Sequence, residues 1–326
     1  MPNPVFLAEL SDRLIYGAIA VYVLAMLAYA YQAATRTRST TSELARQAVP
    51  ATAPAAVVAS AVAQAPPGAR SLSAPAGRRV ERVAASLTTL AFVLHFVGLL
   101  SRGLAAGRAP WGNMYEFTVA GTLAATGAYL VFLRRRPVRD LGVWIVALVT
   151  LCLGLAVTVL YTPAGDLVPA LNSYWLVIHV SAAIIAGGVF TVGAAATCLY
   201  LLRRRADARA GEAAPRGYAG RLPAASTLEG VAHTAHLFAF PVWTFAVLAG
   251  AVWAEDSWGR YWGWDPKETW AFITWVFYAA YLHAQSTAGW RGKKAGWLAL
   301  AGYLAYLFNF VGVNLFINGL HSYAGV

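Results

Sequence analysis

The chain has 326 residues, of which 59% are hydrophobic and only 12% charged, and its net charge is +11. Soluble domains are about half apolar and about a quarter charged, so a water-soluble globular protein is excluded and lipid is the solvent for most of the chain. The positive charge is no nucleic-acid signal, because the basic residues stand in short blocks between apolar runs. Cys152 and Cys198 both lie inside such runs, and neither CxxC nor CxxCH occurs, which excludes a thiol redox pair, a Cys-rich metal site and a c-type cytochrome.

Apolar runs of about 18 to 25 residues recur, each long enough to cross roughly 30 Å of hydrocarbon. In chain order they fall near 14–31, 83–101, 115–133, 141–161, 174–202, 228–253, 267–288 and 296–317. The expected fold is an all-α integral membrane protein of about eight transmembrane helices. The first run follows Glu9 and Asp12 and precedes Arg36 and Arg38, the charge order of an uncleaved anchor, residues 1–35, and not of a signal peptide. Residues 36–80 are rich in Ala, Pro, Ser, Thr and Arg. They hold too few large apolar side chains to form a core and read as a disordered cytoplasmic linker. Residues 81–326 then form a seven-helix domain.

Twenty of the 25 Lys and Arg residues fall in alternate loops, including Arg134, Arg135 and Arg136 and the block Arg203, Arg204 and Arg205. The other side holds only Arg13, Arg102, Arg108, Arg260 and Lys267. The positive-inside rule makes the first set of loops cytoplasmic and puts both termini, with the loop between spans six and seven, outside.

That loop carries the densest signal. Residues 253–275 read WAEDSWGRYWGWDPKETWAFITW and hold six of the twelve tryptophans. An interfacial aromatic belt needs one or two rings per helix end, whereas Trp258, Tyr261, Trp262 and Trp264 stand within seven residues. Gly259 and Gly263 alternate with the rings and let backbone approach a flat surface, so the loop suits a large planar apolar ligand. Asp265, Pro266 and Glu268 form a helix start: an Asp N-cap, Pro at the first position and Glu closing a capping box. Arg260 and Lys267 are placed to meet the propionates of a porphyrin, or to snorkel at the interface.

Ionisable groups inside a membrane protein mark function by default. His179, near the outer end of span five, and His321, just beyond span eight, reach the side of the tryptophan loop although 142 residues separate them. Two neutral imidazoles flanking an aromatic platform are what a six-coordinate haem iron needs. His283 lies about 26 Å along span seven from its outer start. A second haem site there needs another ligand, with His236 at comparable depth and another subunit equally admissible. For His95, His233 and His236 a structural role is favoured.

The sequence WGRYWGWDPKETW, preceded by WLVIHV and followed by YLHAQ and GLHSYAG, with GRAPWGNMYEF at 107–117, resembles the CcsA/ResC haem-handling proteins of System II cytochrome c biogenesis. The resemblance covers spans two to eight. It implies haem b bound as a substrate in transit by the tryptophan-rich WWD loop, which here holds Trp258, Trp262, Trp264, Asp265 and Trp270, with Arg260 and Lys267 beside them as the candidate cations. It also implies His179 and His321 as ligands of the outer haem iron and His283 as a ligand of a membrane haem iron. The partners it implies are a ResB-type membrane protein, which carries the other membrane ligand and so weakens the case for His236, and apocytochrome c with its CxxCH motif.

The implied function is presentation of haem at the extracytoplasmic face for thioether attachment, as a subunit of a cytochrome c synthase (haem lyase) complex; which subunit performs the chemistry stays open. No base for thiol activation is evident in the sequence. The implied location is a bacterial plasma membrane, or a thylakoid membrane. Two other readings compete: a haem exporter or chaperone without ligation activity, and a b-type electron carrier, which would instead pair histidines within the bilayer.

Overall fold

The computed structural model describes residues 3–47, 74–136, 138–167, 171–211, 215 and 217–321, with backbone only for 35–47 and 74–78. Among them the chain is helical and contains no strand. The long helices are α1 (Pro4–Gln47), α2 (Ala74–Ala106), α3 (Met114–Arg135), α4 (Gly142–Thr158), α5 (Tyr174–Ala210), α6 (Ala225–Trp258), α7 (Pro266–Ser286) and α8 (Lys293–Leu307). A π-helical turn, Phe308–Gly312, and a last turn, Val313–Phe316, prolong α8. Of the expected linker 36–80, residues 48–73 lie outside the described residues, while α1 and α2 run into its two ends.

Seven helices are long and apolar enough to cross a membrane: α1, α2, α3, α5, α6, α4 with its preceding turn and α8 with its extension. The expected eighth, α7, is not among them. Its 21 residues are enough to span, but beside Phe272, Ile273, Val276, Phe277 and Leu282 it carries Trp, Tyr and Thr residues of low hydropathy and is broken by His283 and Gln285. Its place is fixed by packing, since it lies against α6 and α8. Its first residue also stands beside the far end of the α8 extension, through the Asp265 contacts described below. The α7–α8 hairpin therefore leaves one end of the bundle and returns to it.

Helices in lipid gain no hydrophobic drive from one another and associate where small side chains let backbones close up. The central helix α5, which touches α3, α4, α6 and α8, shows this with buried Ala182, Ala183, Ala186, Gly187, Gly188 and Gly193. A Cβ at Gly188 would meet the Ala124 backbone of α3 at 2.7 Å. His95 has the structural role expected of it: fully buried on α2, its Nε2 contacts the Val119 carbonyl of α3 at 2.9 Å and its Nδ1 the Tyr22 hydroxyl of α1 at 3.4 Å. It pins the first three helices together.

Candidate haem-binding cavity

Sequence alternation of the helices puts the start of α3, α5 and α7 and the end of α6 and α8 at the same end of the bundle. A cavity opens there with about 1280 Å³ of empty space, part of it open to solvent. Its walls include His179 of α5, Trp253 and Trp258 of α6, Trp262 of the tryptophan loop, Lys267 of α7 and His321. The structure thus brings together two histidines that are far apart in the chain.

In each ring Nδ1 faces an acceptor. His179 Nδ1 lies 2.7 Å from the Ala246 carbonyl of α6. A carbonyl only accepts, so Nδ1 carries the proton and Nε2 the lone pair. The ring fits against α6 because residue 250 is glycine: a Cβ there would come within 2.7 Å of His179 Cε1 and 2.8 Å of Nδ1. His321 Nδ1 lies 2.8 Å from Asp265 Oδ2, a carboxylate oxygen that accepts its N–H. A carboxylate behind an imidazole raises the basicity of its metal-facing nitrogen. The Trp258 ring meets His321 edge-on at 4.9 Å, and Trp253 lies 5.8 Å from the His179 ring.

Asp265 is the hub of this wall. Burial works against its charge, but bonds from His321 Nδ1, from the Leu320 N–H at 2.8 Å and from the Lys267 N–H at 3.2 Å more than offset it and hold its carboxyl at about 2. The capping box forms as the sequence predicts: Glu268 Oε2 accepts from the N–H groups of Gly263, at 2.8 Å, and Asp265, at 3.1 Å. These two bonds flank Trp264 and force it to a left-handed φ of +57°, a cost tolerated where surroundings over-determine the backbone.

The tryptophan platform is consequently divided. Trp258 and Trp262 face the cavity. Trp264 is exposed and does not line it, standing 5.7 Å from Trp262 and 6.1 Å from Phe272. Trp270 packs on Phe308 at 4.3 Å, also away from the cavity. Of the two loop cations, Lys267 lines the cavity and donates from Nζ to the Asn309 carbonyl in the π-helical turn at 2.8 Å. Arg260 is exposed and lies over the Gly263 backbone.

His283 stands apart, on the exposed face of α7 about 24 Å along the helix from Lys267. His236 is fully buried on α6 among Phe190, Tyr278 and Tyr281, with Nε2 at 3.2 Å from Thr197 Oγ1. Tyr281 is buried on the side of α7 opposite His283, so the two histidines do not face one another.

One wall escaped the sequence reading. Glu116, fully buried at the start of α3, accepts from Arg102 Nε at 2.8 Å, Arg108 Nη1 at 2.7 Å and the Gly112 N–H at 2.9 Å. Arg108 Nε reaches the Gly165 carbonyl at 3.0 Å. This network holds the 107–113 segment so that Trp111 donates to the Leu176 carbonyl at 3.3 Å and joins the cavity wall with Met114. Its signal in the sequence was the GRAPWGNMYEF stretch at 107–117, which carries Arg108, Trp111 and Glu116 but does not reveal that they form one network.

Comparison with known proteins gives the lineage. A profile of the family described as "Cytochrome C assembly protein" matches residues 111–321, the stretch that builds the cavity. This chain belongs to that family. It is similar to "Cytochrome c biogenesis protein CcsA" of Guillardia theta, 34% identical over 255 residues that cover 72% of this chain and 83% of the relative. The same-named protein of Porphyra purpurea is 31% identical over 288 residues, covering 78% and 90%. That of Synechococcus elongatus is 33% identical over 267 residues, covering 68% and 81%. Together these make the chain a CcsA-type, multi-pass cytochrome c biogenesis protein. Among solved structures, "Cytochrome c Heme Lyase CcmF" shares the fold, with a TM-score of 0.60 at 19% identity. The match covers 95% of this chain and 47% of that one, so this chain spans about half its length.

Proposed function

We propose that this chain receives haem b as a substrate, binds its iron between His179 and His321 at the extracytoplasmic face, and with a ResB-type partner presents it for thioether attachment to the CxxCH motif of apocytochrome c. One observation carries the reading. Two histidines 142 residues apart line one aromatic cavity, and each has its Nδ1 on an acceptor, the arrangement in which an imidazole ligates a metal through Nε2. The donor set fits haem: two imidazoles, flat indole walls and a cavity-lining lysine.

Bis-imidazole ligation keeps the bound iron coordinatively saturated, and the histidine of an incoming CxxCH replaces one ring as the thiols add to the vinyl groups. Holding vinyl and thiol in reach supplies much of the acceleration. His283, exposed at the other depth of α7, meets haem on its way outward, its second ligand coming from the partner and not from the buried His236. The sparse Lys and Arg at the cavity end of the bundle favour an extracytoplasmic position in a bacterial plasma membrane or a thylakoid.

The test is the visible spectrum of the complex purified in detergent with its partner. Wild type should hold non-covalent haem with a low-spin ferrous spectrum. In His179→Ala/His321→Ala that spectrum should be lost and added imidazole should restore it. A well-folded wild-type complex without haem would sink the reading.

A further inference from the structure

The addition of a thiol to a vinyl group moves a proton, and the residues so far assigned to iron and propionates do not handle it. The S–H bond breaks, the vinyl π bond opens, sulfur bonds to the carbon nearer the ring and hydrogen bonds to the terminal carbon. The reaction is redox-neutral and needs one group that takes a proton from sulfur and returns it to carbon.

We propose that Glu268 is that group, a reading that rests on the haem function above. Glu268 lines the same cavity as His179 and His321. Its two carboxylate oxygens are unlike. Oε2 is committed to the Gly263 and Asp265 N–H groups of the capping box. Oε1 is buried with no hydrogen-bond partner among the described residues. A capping glutamate needs only one oxygen, and a buried acceptor left unmet is costly, so Oε1 calls for a donor brought by a ligand. Haem brings only its propionates, whereas an apocytochrome segment brings thiols.

Chain position supports the assignment. On protohaem each lateral edge carries one vinyl and one propionate on neighbouring pyrroles. Lys267 and Glu268 are neighbours at the start of α7 and both line the cavity, so a cation for a propionate and a carboxylate for a vinyl group stand on the same wall. Glu268 then serves one of the two vinyl groups and fixes which edge it is. Oε1 takes the thiol proton as sulfur attacks and hands it to the terminal carbon, so that the side chain ends as it began.

The experiment uses Glu268→Gln in the complex with its partner, loaded with ferrous haem and given a synthetic CxxCH peptide. Gln keeps the capping box, because its side-chain oxygen accepts the same two N–H groups. Haem content and the low-spin spectrum should match wild type, which shows the fold and the iron site intact. Attachment should slow about a hundredfold, the usual range for lost general acid–base catalysis. The product should stall with one thioether, read by a pyridine haemochrome band between those of non-covalent and doubly linked haem.

Raising the pH through the thiol range, about 8.5, should restore much of the rate in Glu268→Gln, since a preformed thiolate needs no base and the terminal carbon then takes its proton from water. The other charged or titratable groups around this wall are Asp265, Lys267, Arg260, His179, His321, Tyr261 and Tyr306, and all are unchanged in the variant. Wild-type attachment by Glu268→Gln, or slow attachment that pH does not rescue, would overturn the assignment. Absence of haem from the wild-type complex would instead bring down the functional reading and this assignment with it.

Discussion

His321 Nδ1 sits 2.8 Å from Asp265 Oδ2, so the residue that caps α7 also orients an imidazole 56 positions later in the chain. The same carboxylate takes the Leu320 N–H on its other oxygen, and residue 319 is a glycine whose absent Cβ would stand 2.8 Å from Oδ1. Asp265→Asn keeps an N-cap of nearly equal quality but removes the negative charge behind the ring. We expect haem retention to fall about 10- to 100-fold, the usual cost of losing a partner behind a metal-bound histidine, with helix content unchanged. Haem dissociation rates from the purified complex measure this.

Acid should loosen the same joint. The folded-state carboxyl of Asp265 is held at about 2, below its ordinary 3.8. Its contribution to stability is therefore full above about pH 4 and is lost as pH falls toward 2. Thermal melting in detergent at pH 5 and pH 3 should show wild type losing more stability than Asp265→Asn over that interval.

His179 makes a different kind of joint, ring against backbone. Gly250→Ala puts a methyl group 2.7 Å from its Cε1, closer than carbon atoms approach without movement. The helix itself gains from alanine, so the expected result is an intact fold with a displaced ring: tenfold or greater loss of haem, recovered by free imidazole. Equal haem content in Gly250→Ala and wild type would show that the His179 ring position is not the one described.

The shared end of the two histidines was legible in the sequence because it needs only the parity of the apolar runs and the side of the charge-poor loops. The capping box was legible because it is local. The partition of the indoles was not: whether Trp264 faces the cavity depends on a positive φ imposed by two bonds to Glu268. Nor was the Glu116 wall, whose partners Arg102 and Gly165 come from segments up to 49 residues away.

Glu116 neutralises one of two guanidinium groups packed around it, Arg102 and Arg108. Removing one member of a buried ion pair costs about 3–5 kcal/mol because the other charge stays buried. Glu116→Gln should therefore lower the melting temperature and release the 107–113 wall. Fluorescence of Trp111, isolated by comparison with Trp111→Phe, should show greater solvent exposure in the variant, and its absence would separate the network from the wall it is said to hold.

Lys267 and Arg260 were equal candidates for the propionates on sequence grounds, and their positions now divide them. Lys267 lines the cavity with its ammonium on the Asn309 carbonyl; Arg260 is exposed over Gly263. A hydrogen bond to a charged group contributes about 1.5–3 kcal/mol, or roughly 10- to 150-fold in affinity. Lys267→Met should weaken haem binding by that factor, whereas Arg260→Met should change it less than threefold. Haem with esterified propionates provides the control, because it has no carboxylate for Lys267 to meet and should bind wild type and Lys267→Met alike. If Arg260→Met proves the more damaging, the propionates lie on the outer surface of the loop and the haem plane is turned toward solvent.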